Sequence, residues 1–208
     1  MIYDISRTIS PTLKVWPGDE PFSYQPVLKL SEGASVNLMT LTMSAHTGTH
    51  ADAPFHHEPV NIHPSALDIT TYIGPAHVVS IERQHGGIVP EDFAHADLTG
   101  VKRLLVHTWV SDLPDDEWSQ DFPYPTPAFI EWMAELGIIL LGVDMPSVDR
   151  FDDPTLQCHH LLYKHNIRNI ETMCLRGVPD GVYELIALPL KVDHVCGSPL
   201  RAILRTLD

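Results

Sequence analysis

Three histidines and one aspartate lie within an eleven-residue stretch of the chain, at His46, His50, Asp52 and His56. The residues between them are mostly small and would contribute little to a hydrophobic core. Neutral imidazole nitrogens and a carboxylate are the ligands that zinc and similar divalent ions prefer. The stretch therefore indicates a metal site rather than a surface loop with scattered histidines.

Two histidines four residues apart can share one face of a helix, as in the H-E-x-x-H motif of metalloproteases. Here Thr47 stands where that motif has glutamate, Gly48 lies between the two histidines, and Pro54 follows them. Glycine and proline are unfavourable inside a helix. The sequence therefore predicts a tight loop after a strand, with its polar side chains converging.

One loop supplies too few ligands for a metal site, so further donors are expected elsewhere in the chain. His159 and His160 lie on a predicted helix, and adjacent helical residues point about 100° apart, so at most one of them binds directly. Glu171 lies at the start of a predicted strand, in a segment with few charges. It is either a further ligand or an edge-strand glutamate that faces water.

Strands are predicted over 1–6, 35–44, 76–82, 101–108, 138–143, 182–190 and 199–205, and the 35–44 strand leads to the histidine loop. A helix is predicted over 127–136, with Thr126 as N-cap, and another from Asp153-Pro154 to about His165. The proline-rich segment 111–127 is predicted to be a surface loop, acting as a lid or an oligomer contact. These elements predict one α/β domain over 1–208, a mixed β-sheet or open barrel with helices packed outside.

Composition narrows the function classes. With 208 residues, 44% of them hydrophobic and 19% charged, the chain is predicted to fold as a single globular domain. The formal net charge of −14 argues against nucleic acid and anionic membranes as partners. Neither a signal peptide nor a transmembrane run is predicted, and three widely spaced cysteines favour free thiols in a reducing cytoplasm.

The segment HTGTHADAPFH (46–56) matches the H-x-G-T-H-x-D-x-P-x-H pattern of the cyclase-like metal hydrolases, a family that includes bacterial kynurenine formamidases. Other parts of the chain resemble the family as well. These are WPGD (16–19), GVDMPSVD (142–149), the spacing from His159 to Glu171, YELIALPL (183–190) and GSPLRAILR (197–205).

The resemblance implies a swivelling β/β/α fold, a homodimer and two zinc ions per subunit, with manganese as the alternative metal. It also implies specific residue roles. His46 and His50 would bind one ion, His159 the other, Asp52 and Glu171 would bridge them, His56 would be the acid/base, and Trp16 would line the pocket for an aromatic formamide.

The activity implied is hydrolysis of N-formyl-L-kynurenine to L-kynurenine and formate, in tryptophan catabolism. Two divalent ions and two carboxylates leave a net positive site, which stabilises a bridging hydroxide as the nucleophile. The amine leaving group then needs a proton, which His56 is expected to deliver. The alternatives are hydrolysis of another amide, imide or lactone, and a metal-binding protein without turnover.

Several assignments stay open from the residues alone. His56 is either the acid/base or a further ligand or orienting residue. Asp144 and Asp149 either orient ligating imidazoles or belong to ordinary turns and caps. Trp16 either stacks on an aromatic substrate or anchors a turn. The remaining histidines show no ligand spacing and are predicted to be surface or strand residues.

Overall fold

The computed structural model describes residues 1–207. Thirteen strands and two α-helices are found in this part of the chain. The strands are β1 (Ile2–Asp4), β2 (Ser23–Leu28), β3 (Leu38–Thr42), β4 (His50–Asp52), β5 (Ile73–Ser80), β6 (Gly87–Ile88), β7 (Arg103–His107), β8 (Tyr124–Pro125), β9 (Leu140–Val143), β10 (Arg168–Glu171), β11 (Gly181–Ile186), β12 (Gly197–Pro199) and β13 (Ile203–Thr206); the helices are α1 (Pro127–Glu135) and α2 (Gln157–Lys164).

Nine of the strands form one mixed sheet, in the order β1-β13-β11-β5-β7-β9-β10-β4-β12. The four strands β5, β7, β9 and β10 run parallel, and the strands on either side of them pair antiparallel. The sheet curls into a half-barrel, which confirms the predicted α/β fold with a mixed sheet and outer helices.

Alternating side chains of the central strands supply two hydrophobic cores. Leu104 and Val106 of β7 face a core that includes Phe129 and Met133 of α1, while Leu105 faces the opposite side. Successive residues of a strand point to opposite faces, so a strand buried on both faces is apolar throughout. The helices cover one face, and the curled sheet encloses the second core, which includes Tyr72.

The predicted strands near 1–6, 76–82, 101–108 and 138–143 are confirmed as β1, β5, β7 and β9, and the 127–136 helix as α1. The hydroxyl of Thr126 accepts a hydrogen bond from the Phe129 amide, as expected for an N-cap. The predicted strand 182–190 is shorter, because β11 ends at Ile186.

The second predicted helix begins later than expected. Asp153 Oδ1 accepts a hydrogen bond from the Thr155 amide (2.8 Å), which closes a local turn. Leu156 then adopts a left-handed conformation, with φ of 48°. The helix therefore starts only at Gln157.

Two strand predictions were wrong in their extent. The 199–205 segment is not one strand, since β12 and β13 lie near opposite edges of the sheet. The 35–44 strand is shorter and lies outside the large sheet, because β3 pairs only with β2 in a separate hairpin. All residues of the two strands of this β2–β3 hairpin are exposed.

No helix among residues 1–207 combines the length and the hydropathy that crossing a membrane requires.

Candidate metal centre

The short strand β4 positions two of the predicted ligands. His50 and Asp52 lie two residues apart and therefore point to the same side of the sheet. The sequence predicted a loop for this segment. That prediction is partly wrong, because residues 50–52 form a strand that is paired on both edges. It pairs with β10, where His50 lies opposite Glu171, and with β12, where Asp52 lies opposite Gly197.

Glu171 lies at the end of β10 rather than at the start of a strand. Its side chain is buried and points at the histidines, so the alternative of a water-facing edge residue is wrong. The structure therefore brings together five predicted ligands from three segments, namely His46, His50, Asp52, His159 and Glu171.

The distances divide these groups into two sets that share both carboxylates. In the first set, Asp52 Oδ1 lies 3.0 Å from His46 Nδ1 and 3.4 Å from His50 Nε2. Glu171 Oε2 lies 3.5 Å from the same His50 nitrogen.

In the second set, His159 Nε2 lies 3.4 Å from Asp52 Oδ2 and 3.5 Å from Glu171 Oε1. Ligands bound tetrahedrally to zinc at about 2.0–2.1 Å are separated by roughly 3.3–3.4 Å. Four of the five distances in the two sets, at 3.4–3.5 Å, match this value, and the His46–Asp52 distance of 3.0 Å is somewhat shorter. The spacing is therefore that of metal ligands, and the two sets share both carboxylates.

Two polar atoms of the first set are buried and have no hydrogen-bond partner, His50 Nε2 and Asp52 Oδ1. A buried polar atom without a partner is costly and is rare in folded proteins. A metal ion between the two atoms would satisfy both, so this donor set fits a divalent cation.

The electrostatics of the site lead to the same conclusion. Burial by itself would lower the pKa of His46 and His50, but Asp52 outweighs it and raises them to about 10 and about 9. Burial by itself would raise the pKa of Asp52, and His159 with the other imidazoles lowers it instead. The carboxylates thus attract positive charge, as protons or as metal ions that displace them.

The second nitrogens of two imidazoles are held by hydrogen bonds. His159 Nδ1 lies 2.6 Å from Asp149 Oδ2, and His50 Nδ1 lies 2.9 Å from the Gly48 carbonyl oxygen. Asp149 also accepts hydrogen bonds from the amides of Cys158 and His159. Such contacts fix the ring orientation and present Nε2 to a metal. For Asp149, the structure supports the orienting role.

Asp144 plays a different part. Its carboxylate accepts four hydrogen bonds, from the amide and hydroxyl of Thr108 (2.7 and 2.8 Å) and from those of Ser111 (3.2 and 2.7 Å). None of these four hydrogen bonds involves an imidazole of the metal centre. Burial raises its pKa to about 6, despite the opposing effect of these donors. The turn-and-cap alternative therefore applies to Asp144.

Asn169 is a residue of the site that the sequence analysis missed. Its Nδ2 donates to Asp52 Oδ2 (2.7 Å) and to Glu171 Oε1 (3.1 Å), so one amide connects both shared carboxylates. The signal was its position two residues before Glu171, on the same face of β10. The Val148 amide also donates to Glu171 Oε1.

Gly197 allows the imidazole of His46 to lie against the backbone of β12. A Cβ atom at this position would lie 2.8 Å from His46 Cε1, which real structures essentially never show. The neighbouring Cys196 brings its sulfur to 3.1 Å from His46 Nε2. Residue 197 must therefore be glycine for the ring to keep this place.

His56 and the metal centre face a cavity of about 230 Å³. The His56 ring lies 4.1 Å from that of His46 and 5.9 Å from that of His159, measured between centroids. The His56 side chain is exposed at the mouth of this cavity, and partial desolvation there together with these two imidazoles lowers its pKa.

Trp16 lines the same cavity, with its ring 5.5 Å from Trp118 and 5.0 Å from Phe151. Trp118 and Phe151 were not predicted from the sequence as residues of the site. They come from the predicted surface loop and from the segment before α2. Together the three rings give one wall of the cavity an aromatic character.

His160 points away from the site and its Nδ1 lies within hydrogen-bond distance of Glu58 Oε1, at 2.7 Å, so only His159 of the pair reaches the centre. His57 was predicted to be a surface or strand residue, yet it is half-buried, with its ring 5.2 Å from that of His159. Burial and His159 lower its pKa to about 4.

A family model and a relative both match most of the chain. Residues 3–150 match the family model described as "Putative cyclase". A kynurenine formamidase from Bacillus cereus is 42% identical over 204 residues, which covers 98% of this chain and 97% of that protein.

Solved structures share the fold. A potential metal-dependent hydrolase with cyclase activity superposes with a TM-score of 0.84 at 24% identity, covering 98% of this chain and 96% of that one. Isatin hydrolase A from Labrenzia aggregata superposes with a TM-score of 0.83 at 23% identity, covering 98% and 93%. At these identities the superpositions establish similarity of fold.

Proposed function

The chain belongs to the cyclase family, and from this membership we propose that it hydrolyses N-formyl-L-kynurenine to L-kynurenine and formate. The reaction is a metal-dependent step of tryptophan catabolism. The observation that carries the proposal is the pair of ligand sets sharing Asp52 and Glu171 beside an aromatic cavity. The 42% identity to a kynurenine formamidase over almost the whole chain supports the substrate.

We propose two zinc ions per chain. His46 and His50 would hold one and His159 the other, with Asp52 and Glu171 between them; Mn²⁺ is the alternative metal. When bound, the two ions would act as a Lewis acid on the formyl carbonyl. They would also lower the pKa of a bound water molecule toward neutrality. Elemental analysis of the purified protein is expected to give about two zinc equivalents per chain. One tightly held equivalent with full activity would contradict the pair.

His56 is proposed to move the proton. A neutral imidazole in the cavity, which the lowered pKa of His56 favours, accepts a proton from the attacking water. The same imidazole then donates that proton to the aniline nitrogen as the carbon–nitrogen bond breaks. Without protonation this amine is a poor leaving group, so both proton transfers fall to one side chain that borders both ligand sets.

The aromatic wall is proposed to bind the ring of the substrate. Trp16, Trp118 and Phe151 contact one another at tilted or edge-on angles, which leaves ring surface for an offset stack with an aniline. Ser147 and Arg150 are polar residues of the same cavity lining, suited to the amino-acid part of the substrate.

Turnover of N-formyl-L-kynurenine, followed by the absorbance change on deformylation, tests the proposal directly. The matched comparison is isatin, because the fold is shared with an isatin hydrolase and cyclic amides are the main alternative. We expect kcat/KM for formylkynurenine to exceed that for isatin. A preference for isatin would overturn the proposed substrate. If the metal-loaded protein hydrolysed neither compound, the alternative of a metal-binding protein without turnover would be favoured.

We also propose that the active form is a homodimer, as the family resemblance implies. The exposed β2–β3 hairpin supports this, since it presents Tyr24, Val27, Leu38 and Leu41 to solvent. Contiguous exposed apolar side chains mark interaction surfaces. Light scattering of the wild-type protein is expected to give twice the mass of one chain. The Leu41→Ser variant is expected to give the mass of a single chain. Leu190→Ser, at an equally exposed leucine outside the hairpin, is the control and should stay dimeric.

A cytoplasmic location is proposed from the cysteines. Cys158, Cys174 and Cys196 form no disulfide in the structure. Thiol titration after denaturation without reductant is expected to give three thiols per chain, and fewer would contradict a reducing compartment.

A further inference from the structure

A second group of metal-ligand side chains lies outside the cavity, formed by His63, Asp193 and His194. One nitrogen of each imidazole and one carboxylate oxygen lie within 4.8 Å of one another. His63 is buried, whereas Asp193 and His194 are exposed. The proposed hydrolysis uses none of these residues.

His63 is oriented as a metal-binding histidine would be. Its Nδ1 lies 3.0 Å from the Val195 carbonyl oxygen, which can only accept, so Nδ1 carries the proton. In the neutral ring, the form that binds a metal, the lone pair is therefore on Nε2. An imidazole that donates one nitrogen to a backbone carbonyl presents the other to a metal in a fixed direction.

Asp193 is held in a similar way. Its Oδ1 accepts hydrogen bonds from the Ser65 hydroxyl (2.9 Å) and the His194 amide (3.0 Å). The other oxygen, Oδ2, lies 3.6 Å from His194 Nε2. Ser65 also donates its amide to the Val192 carbonyl, so two chain segments distant in sequence are joined at this point.

We propose that His63, Asp193 and His194 bind a divalent transition-metal ion, separately from the metal centre. Two imidazoles and one carboxylate suit Zn²⁺ or Ni²⁺, with water completing the coordination. Tetrahedral ligands of zinc are roughly 3.3–3.4 Å apart, so Asp193 Oδ2 and His194 Nε2, at 3.6 Å, are already near this spacing, and no pair of the three donors has to close by more than about 1.5 Å. The two exposed side chains supply that movement, and His63 stays in place.

Such an ion would link the 63–65 segment to the loop at 192–195. This loop continues into Cys196, whose carbonyl oxygen accepts a hydrogen bond from the Ala53 amide (2.9 Å), and then into β12. Since β12 pairs with β4, the ion would restrain the backbone that borders the metal centre.

The test is a zinc-binding isotherm, measured by equilibrium dialysis at buffered free Zn²⁺ on the protein with its metal centre already loaded. His194→Asn removes one ligand without backbone strain, because residue 194 has φ of 59°, a conformation that asparagine tolerates well. Wild type is expected to bind one more equivalent of zinc than this variant, or to bind that equivalent at least about tenfold more tightly. Asp193→Asn should behave in the same way, and both variants should keep formylkynurenine turnover.

His85→Asn is the matched control. His85 Nδ1 lies 3.0 Å from Asp121 Oδ2 in an exposed pair, and neither belongs to a three-ligand group among the described residues. This variant should bind zinc as wild type does. Identical isotherms for wild type and His194→Asn would overturn the proposal, and so would an equal loss in His85→Asn, which would mean non-specific surface binding.

Hydrogen exchange provides a second readout. Amides of the 192–196 segment are expected to exchange more slowly when the additional equivalent binds to wild type, and to show no such change in His194→Asn. Unchanged exchange in wild type at zinc saturation would contradict the proposed restraint.

Discussion

Asp52 and Asp144 are both buried, yet their surroundings differ in one respect. The carboxylate of Asp144 accepts four hydrogen bonds from Thr108 and Ser111, so protein donors satisfy it completely. Asp52 receives one hydrogen bond, from Asn169, and its Oδ1 faces imidazole nitrogens without a hydrogen bond. The protein thus supplies its own donors where a buried carboxylate is structural, and leaves an oxygen open where a cation is needed.

The largest effect on activity is expected from a change in one of the carboxylates that the two ligand sets share. Glu171→Gln keeps the shape but removes the charge shared by both ligand sets, so kcat/KM should fall at least about a thousandfold, since metal-ion catalysis is worth several kcal/mol. Metal analysis should show reduced occupancy of both positions. Glu131→Gln, at a half-exposed glutamate of α1, is the control.

If Glu171→Gln lost only one metal equivalent, Glu171 would be a ligand at only one of the two proposed metal positions. The comparison with Asp144 would then apply to Asp52 alone.

His56→Asn should lower kcat by roughly 10²–10⁴-fold with metal content nearly unchanged, because asparagine cannot transfer a proton. The loss should be smaller for an aryl formyl ester, whose phenoxide leaves without protonation. His160→Asn, at an exposed histidine, should match wild type. Equal losses on ester and amide, together with loss of metal, would instead make His56 a ligand.

Asp149→Asn tests a carboxylate of intermediate character, bound both to backbone amides and to His159. Metal affinity, measured by chelator competition, should fall about 10–100-fold, as expected when a group orienting a ligand is altered. Excess zinc should restore most of the activity. Asp68→Asn, at an exposed aspartate that closes a local turn with Thr70 and does not line the cavity, serves as the control. Unchanged affinity would remove Asp149 from the metal centre.

Asp144→Asn should alter stability rather than metal binding. The folded-state pKa of Asp144 is raised to about 6, so this group favours the folded state when protonated, and the contribution is lost as pH rises from about 4 through about 6. The free energy of unfolding of wild type, relative to Asp144→Asn, should therefore fall by about 3 kcal/mol across that window. Denaturant unfolding of both proteins after chelation measures this, and a constant difference would contradict it.

The metal centre was more predictable from the sequence than its surroundings. His46, His50 and Asp52 are recognisable because ligand types with fixed spacing are unusual, whereas Glu171 was assigned only through the family resemblance. Strand β4 was missed because three residues, two of them polar, carry no hydrophobic periodicity.

The aromatic wall was missed for a different reason. Trp118 lies in an irregular loop, so only the tertiary fold brings it to Trp16. The same holds for the pairing of His63 with Asp193 and His194, which are distant in sequence and show no ligand spacing.

The position of β4 between β10 and β12 has a consequence for synthesis of the chain. Ribosomes add roughly 5–20 residues per second, so the ~120 residues between Asp52 and Glu171 take on the order of ten seconds to make. During that interval the nascent His46–Asp52 segment has neither neighbouring strand, and any ion it captures meets ligands from one segment only. The complete pair of ligand sets forms only after translation has passed Glu171, which makes metal loading a late event in the maturation of this protein.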